Sequence, residues 1–473
     1  MKRTRSRILE IGLLLAGFIL ITGFLYVMRI QANSERWLNR APNTRLQEAR
    51  KTTVQGTVYD SEMTALAESP AAGVRRYIAD RALRLAMSHT IGDQRGMSET
   101  GVENRHATTL LGMTDSTGTD KTLQTLMGDD PVGYDIVLTQ NAALSAYIAS
   151  LFPEDGRGAC VVLNYKTGAI LAKVSLPAFD PADPESDVVD TMYYDRALQW
   201  RYAPGSTFKT VTLVSALENL PGVSQERFFC NGEWSFADRT LHCAGGTAHG
   251  DISLQQAFTR SCNISFASLA YRLGAQQLRA TSEKFGFNTE FHFDDIVLYA
   301  SRCLKTSTAA GELIQAGFGQ GATDATPLHM AMIAGAIAND GVMMEPKLIK
   351  EVRRHSGIPI STMQPKSFLT VTDPDTAKTT AWYMYKAVHD AGATGTRAQI
   401  SGYSGYVCGK TGSAEVTSDK NALTNAWYIG FLYEDEQHPY AIAVVVEGGG
   451  SGGQTAAPLA AKALKRAMEL GVY

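Results

Sequence analysis

The heptapeptide Ala203-Pro204-Gly205-Ser206-Thr207-Phe208-Lys209 joins a Pro-Gly turn to an apolar helical run (Phe208, Val211, Leu213, Val214, Leu217). That junction places Ser206 at or beside a helix N-terminus, where free backbone N–H groups and the positive end of the dipole lie. Lys209, three residues on, emerges on the same face of the first turn. A serine beside a lysine is one way to build a nucleophile without histidine. The lysine must be neutral to accept the serine proton, and desolvation or nearby positive charge lowers its pKa toward that state. Ser206 is the one serine in the chain with a lysine three residues on. Taken alone the tetrapeptide proves little. About one Ser-x-x-Lys is expected by composition in a chain of this length, and an N-capping serine ahead of an exposed lysine explains it more simply. The rest of the chain has to overturn that reading.

The wider composition is that of an ordinary globular protein, 44% hydrophobic and 19% charged with a formal net charge of −3. There is no basic excess and no basic–aromatic interleaving, so nucleic acid is not an expected partner. A length of 473 residues allows two or three domains. The six cysteines show neither Cys-x-x-Cys nor a His/Cys cluster at zinc spacing, so no metal and no cofactor is expected. At the N-terminus a basic cluster, Met1-Lys2-Arg3-Thr4-Arg5-Ser6-Arg7, precedes a run from Ile11 to Met28 that is apolar apart from Thr22 and three glycines. A run of roughly 18–20 residues spans a bilayer, and the charge asymmetry orients it with the N-terminus in the cytoplasm. The absence of an Ala-x-Ala-like site after it favours an uncleaved signal-anchor over a cleaved signal peptide. The expected layout is a cytoplasmic tail at 1–10, a membrane span at 11–28 and an extracytoplasmic remainder.

Residues 32–132 carry no chemical motif and read as a spacer. Within it Gln55 to Asp60 suggests a strand entering a turn, Arg75 to Ala86 has helical spacing, and Gly92 to Thr119 reads as loop. From Gly133 the texture changes. Tyr134 to Thr139 reads as a strand, Asn141 to Leu151 as an amphipathic helix, and Ala159–Asn164 with Ala169–Val174 as a hairpin turning at Lys166-Thr167-Gly168. Cys230 and Cys243 flank a turn-rich stretch and are the best disulfide candidates; two free thiols are as reasonable, because pairing cannot be deduced from sequence.

Three further features bear on chemistry. Ser261-Cys262-Asn263 interrupts two helical runs, so Ser261 and Asn263 form a polar corner or, more plainly, a capping turn. Gly317-Phe318-Gly319-Gln320-Gly321 lacks the Gly-Lys-Ser/Thr ending of a phosphate loop, which argues against nucleotide binding. Tyr406 to Glu415, containing Lys410-Thr411-Gly412-Ser413, reads as a strand with small residues where a ligand could approach the backbone, followed by strands at Ala426–Leu432 and Tyr440–Val446 and a helix from Ala456 to Leu470.

Ser206-x-x-Lys209, Ser261-x-Asn263 and Lys410-Thr411-Gly412-Ser413 stand in the order and relative spacing found in the active-site serine penicillin-recognising enzymes. Val161 to Pro181, Tyr202 to Lys209, Gly319-Gln320-Gly321 with Thr326-Pro327, and Ala426 to Phe431 extend the resemblance from about Gly133 to the C-terminus. With its anchor and spacer, the whole chain resembles a class B (monofunctional) penicillin-binding protein. Ser413 stands where threonine is more usual and keeps the hydroxyl; Asp60-Ser61-Glu62 replaces a common Asp-Arg-Asn-Gly.

The resemblance implies an α+β fold: an antiparallel sheet flanked by helices plus an all-helical lobe at 133–473, preceded by a small dimerisation-like pedestal at 32–132 and one transmembrane helix. It implies D,D-transpeptidation of peptidoglycan stem peptides ending in D-Ala-D-Ala, with covalent inhibition by β-lactams. Ser206 would be the nucleophile and Lys209 its base. Ser261 and Asn263 would hold Lys209 and relay a proton, and Lys410 would attract the substrate carboxylate. Thr411, Gly412 and Ser413 would bind substrate, with the backbone N–H groups of Ser206 and Ser413 as the oxyanion hole. A polytopic membrane glycosyltransferase of the wall-synthesis machinery is the implied partner. A D,D-carboxypeptidase or serine β-lactamase is the alternative within the class, and a non-catalytic scaffold or β-lactam sensor is the alternative outside it.

Overall fold

The computed structural model describes residues 14–25, 44–114, 132–183, 191–236, 239–305, 308–415 and 423–473. The long apolar runs of the second half form strands because both faces of their sheet are covered. Within Gly158–Asn164 (β1), Ala159, Val161 and Leu163 enter one core while Cys160 and Val162 enter another. Thr424–Tyr433 (β4) and Tyr440–Val446 (β5) divide in the same alternating way, with Trp427, Ile429 and Phe431 opposite Tyr428 and Leu432. With Ile170–Leu176 (β2) and Tyr406–Glu415 (β3) they make a five-stranded sheet in the order β3-β4-β5-β1-β2, antiparallel throughout. Ala142–Ser150 (α1), capped by Asn141 Oδ1 on Leu144 N at 2.8 Å, covers one face together with Ala456–Leu470 (α7).

The other face carries the helical lobe. Lys209–Asn219 (α2), Leu254–Thr259 (α3), Asn263–Lys284 (α4), Pro327–Ala338 (α5) and Pro374–His389 (α6) share its core. α5 is buried along its whole length, opens on Pro327 and stops at Asn339, followed by Asp340 and Gly341 with positive φ, as the sequence signals require. The Lys166-Thr167-Gly168 hairpin turn is closed by Asn164 Oδ1, which accepts from Lys166 N and Thr167 N at 2.9 and 3.1 Å.

A second sheet of six strands lies toward the N-terminus. Val58–Tyr59, Ala65–Ala71 and Val74–Tyr77 supply half of it. The remainder comes from Asp135–Leu138, Ile349–Arg353 and Pro359–Thr362, so segments from the second half of the chain complete the sheet of the first. Val74–Tyr77 pairs with Ala65–Ala71, so the helix expected from Arg75 begins only at Arg81, after Asp80 caps Ala82 N and Leu83 N at 2.9 and 3.1 Å. Gly92 to Thr119 likewise contains short helices at Val102–Arg105 and Ala107–Leu110. Asp60 anchors the variant turn: its carboxylate accepts from Glu62 N, Thr64 N and, across the junction, Ala142 N at 3.0, 2.8 and 3.1 Å. Arg84 and Asp180 form a two-pronged ion pair at 2.8 and 2.9 Å between the two halves.

Of the apolar run at 11–28, residues 14–25 are described, as a helix with Leu14, Phe18, Leu20 and Phe24 between 65% and 75% exposed. Among the described residues no helix is long and apolar enough to cross a membrane, and the two ends of the run lie outside them.

Candidate active site

Ser206 sits in the 3₁₀ turn Gly205–Phe208 that feeds directly into α2, with Lys209 as the first residue of that helix. The turn needs glycine at Gly205, where φ is +54° and a Cβ would lie 3.0 Å from Ser413 O. Gly205 N donates to Gly319 O at 2.9 Å, and a Cβ on Gly319 would lie 2.1 Å from Gly205 O. The Gly-rich turn at 317–321 is therefore a backing for the serine turn. That role rests on a contact between segments more than a hundred residues apart, which no local pattern reveals.

The Ser261 corner lies between α3 and α4. Ser261 adopts a left-handed backbone, φ +58°, a strained conformation for a non-glycine residue. Both its carbonyl and its hydroxyl meet Lys209, whose Nζ donates to Ser261 O at 2.7 Å and contacts Ser261 Oγ at 3.2 Å. Asn263 Oδ1 accepts from the same nitrogen at 2.8 Å, while Asn263 Nδ2 donates to His242 O at 3.0 Å. From β3, Lys410 Nζ reaches the other side of Ser261 Oγ at 3.0 Å and also donates to Thr411 O at 3.0 Å. One hydroxyl thus stands between two amines.

Both amines are fully buried. The Phe266 ring lies 5.5 Å from Lys209 Nζ and the Phe258 ring 5.7 Å from Lys410 Nζ. Desolvation brings Lys209 down to about 7, against a weaker opposing effect of Cys262 and Cys243. Lys410 is also pulled well below its ordinary value, first by desolvation and then by the neighbouring Lys209 charge. Two buried ammonium groups sharing one hydroxyl repel each other, so the protonation of one bears on that of the other.

The cleft above these groups is lined by Ser206, Ser261, Asn263, Thr411, Gly412 and Ser413. Thr411 Oγ1 donates to Thr394 Oγ1 at 2.6 Å, and Ser413 Oγ accepts from Gly452 N at 3.2 Å. A Cβ on Gly412 would lie 2.9 Å from Pro204 O, and one on Gly452 would lie 2.2 Å from Gly412 O. The glycines let β3, the serine turn and the loop after β5 touch backbone to backbone. All eight motif residues singled out from the sequence converge here. Sequence reasoning missed Thr394 and Gly452 and named Gly319 only within the Gly-rich turn and the resemblance, without its backing role; for Gly452 the run Gly448-Gly449-Gly450-Ser451-Gly452-Gly453 after a strand was the visible signal.

Of the two readings open for Cys230 and Cys243, the structure has the free thiols and not the disulfide. All six cysteines are free, and Cys230 Sγ lies 3.6 Å from Cys243 Sγ, well beyond a disulfide bond of about 2.05 Å. The absence of zinc spacing along the sequence also does not carry into space. Cys230, Cys243, His249 and Cys262 place their ligand atoms within 4.8 Å of one another, because a hairpin, a loop and the Ser261 corner fold together.

This geometry agrees with the comparisons. Residues 158–465 match the model of the penicillin binding protein transpeptidase domain, and the chain belongs to that family. It is 30% identical over 410 residues to the peptidoglycan D,D-transpeptidase PbpA of Mycolicibacterium smegmatis, covering 80% of this chain and 81% of that one. It is 29% identical over 385 residues to the peptidoglycan D,D-transpeptidase MrdA of Haemophilus influenzae, covering 73% of this chain and 58% of the relative. The ceftriaxone acyl-enzyme complex of penicillin-binding protein A from Mycobacterium tuberculosis superposes with a TM-score of 0.78 at 25% identity, over 89% of this chain and 99% of that one.

Proposed function

We propose that this chain is a serine D,D-transpeptidase that cross-links peptidoglycan stem peptides and is acylated by β-lactams at Ser206. The observation that carries the reading is the hydrogen-bonding of Lys209. A neutral amine has two N–H groups, and Ser261 O and Asn263 Oδ1 occupy both at 2.7 and 2.8 Å. The longer third contact, Ser261 Oγ at 3.2 Å, then falls on the lone-pair side, so the Ser206 proton would reach that lone pair either directly or through the Ser261 hydroxyl. Ser206 Oγ attacks the penultimate D-Ala carbonyl, and the backbone N–H groups of Ser206 and Ser413 receive the developing oxyanion; one such donor is worth ~3–4 kcal/mol. As the C–N bond breaks, the departing D-Ala amine takes the proton from Lys209 through Ser261, leaving an ester on Ser206. An amine from a neighbouring stem then attacks that ester and returns the proton to Ser206.

Lys410 fits the role of carboxylate anchor, with the Thr411 and Ser413 hydroxyls beside it. A substrate carboxylate next to Lys410 favours charge there, and a charged Lys410 disfavours a proton on Lys209. Substrate binding would thus set the base in its active form.

The position of the enzyme in the cell belongs to the same proposal. The basic cluster Lys2 to Arg7 ahead of the apolar run 11–28 supports a single-pass anchor with the N-terminus in the cytoplasm and the catalytic domain outside. Residues 32–132 would act as the pedestal, and the span and pedestal would contact a polytopic glycosyltransferase. The reading is tested by D-Ala release from a pentapeptide substrate by the full-length chain in detergent. Release accelerated by an amine acceptor, with a cross-linked product, is expected; release to water alone would make the enzyme a carboxypeptidase.

A further inference from the structure

Three buried thiols and an imidazole that acyl transfer does not use meet directly behind the Ser261 corner. Cys230 ends the strand Arg227–Cys230, Cys243 follows the strand Arg239–His242, His249 precedes the strand Gly250–Ser253, and Cys262 is the N-cap of α4. Cys230, Cys243 and Cys262 are 1%, 2% and 0% exposed, and His249 is half-buried. Cys230 Sγ lies 3.6 Å from Cys243 Sγ and 3.4 Å from His249 Nδ1, and Cys243 Sγ lies 3.8 Å from Cys262 Sγ.

Those three separations match edges of a coordination tetrahedron, and all four ligand atoms lie within 4.8 Å of one another. With Zn–S near 2.3 Å and Zn–N near 2.0–2.1 Å, ideal tetrahedral geometry puts sulfurs about 3.8 Å apart and sulfur and nitrogen about 3.6 Å apart. A disulfide explains the cluster poorly: three thiols yield one bond and leave one sulfur over, and the Cys230–Cys243 pair would have to close by about 1.5 Å. Cys262 Sγ also accepts from Ser265 N at 3.4 Å and Ser265 Oγ at 3.2 Å, which suits a thiolate held in a fixed orientation.

We propose that Cys230, Cys243, His249 and Cys262 bind a zinc ion that fixes the Ser261–Asn263 corner of the active site. Soft thiolates with one imidazole select zinc over hard cations such as magnesium or calcium. Four protein ligands close the coordination sphere, so the ion is structural and leaves no open position for water or substrate. Cys262 lies between Ser261 and Asn263, and Asn263 Nδ2 is bound to His242 O, one residue from Cys243. The ion would tie the loop 240–249, which forms a wall of the cleft, to the two side chains that hold Lys209. In an oxidising compartment it would also keep the three thiols from oxidation.

The test is metal analysis of the full-length chain purified in detergent under reducing conditions, without added chelator. The expected result is close to one equivalent of zinc. Replacing it with cobalt should produce a thiolate-to-cobalt charge-transfer band and the strong visible absorption of a tetrahedral site. C230S should lose most of the zinc, whereas C160S, at a buried cysteine outside the cluster, should keep it. Because C230S could fail to fold, the wild-type measurements stand alone. Folded wild-type protein that carries no zinc and gives no cobalt–thiolate band, or that shows a Cys230–Cys243 disulfide by peptide mass, overturns the proposal. None of these readouts depends on the transpeptidase reading.

Discussion

The pH dependence of acylation gives the sharpest view of the buried lysine pair. Lys209 is fully buried, and desolvation lowers it from 10.5 to about 7. If its neutral form is the base, about half the enzyme is competent at pH 7 and about 1% at pH 5, so the acylation rate constant should fall roughly 50-fold between them. The assay is stopped-flow acylation with a chromogenic cephalosporin from pH 5 to 9, with intact mass confirming a single adduct. K410Q sharpens it. Removing a neighbouring cation makes it easier for Lys209 to hold its proton, so the midpoint should move upward. A profile flat between pH 5 and 8, or a wild-type midpoint near the ordinary lysine value, would refute the reasoning and move the base elsewhere. The same burial has a stability consequence. The unfolded chain holds this proton up to about 10.5 and the folded chain only to about 7, so this group makes stability rise with pH across that window. Below it, the cost of burying the charged amine is on the order of 5 kcal/mol.

Three further substitutions separate the site from the scaffold. G319A puts a methyl 2.1 Å from Gly205 O at a residue with φ +74°, so it should displace the Ser206 turn and slow acylation about 100-fold while circular dichroism stays native; a rate within twofold of wild type would show that the backing turn does not position the serine. D195N breaks the buried Lys173–Asp195 ion pair and should cost about 3–5 kcal/mol in denaturant unfolding, against under ~1 kcal/mol for D251N at the exposed Arg227–Asp251 pair. Equal losses at the two sites would contradict the burial argument.

The residues differ in how far the sequence alone revealed them. Lys410 was legible because β3 is a single strand whose small residues and lysine are neighbours in sequence. Ser206 and Lys209 were legible because one helical turn sets their spacing. Ser261 and Asn263 showed as a corner, but the left-handed backbone that turns both oxygens of Ser261 toward Lys209 did not. Thr394, Gly452 and the backing role of Gly319 were hidden because each acts through a partner on another segment of the chain. Arg75 to Tyr77 read as the start of a helix because the residues after them have helical spacing, and pairing of Val74–Tyr77 with Ala65–Ala71 overrides that local preference. The six-stranded sheet was illegible for the same reason, since Ile349–Arg353 joins Asp135–Leu138 across more than two hundred residues. The four-residue thiol–imidazole cluster escaped a search by linear spacing because its ligands come from separate elements.

The central claim is that Ser206 carries the acyl group, and peptide-resolved mass spectrometry of the full-length chain after exposure to a penicillin tests it most directly. The expected result is one long-lived adduct, of the mass of the intact antibiotic, on the peptide containing Ser206. It should be absent from S206A, whose unfolding curve should match wild type because Ser206 is only partly buried. An adduct that persists in S206A, maps to another peptide, or never forms on folded wild-type protein would contradict the account.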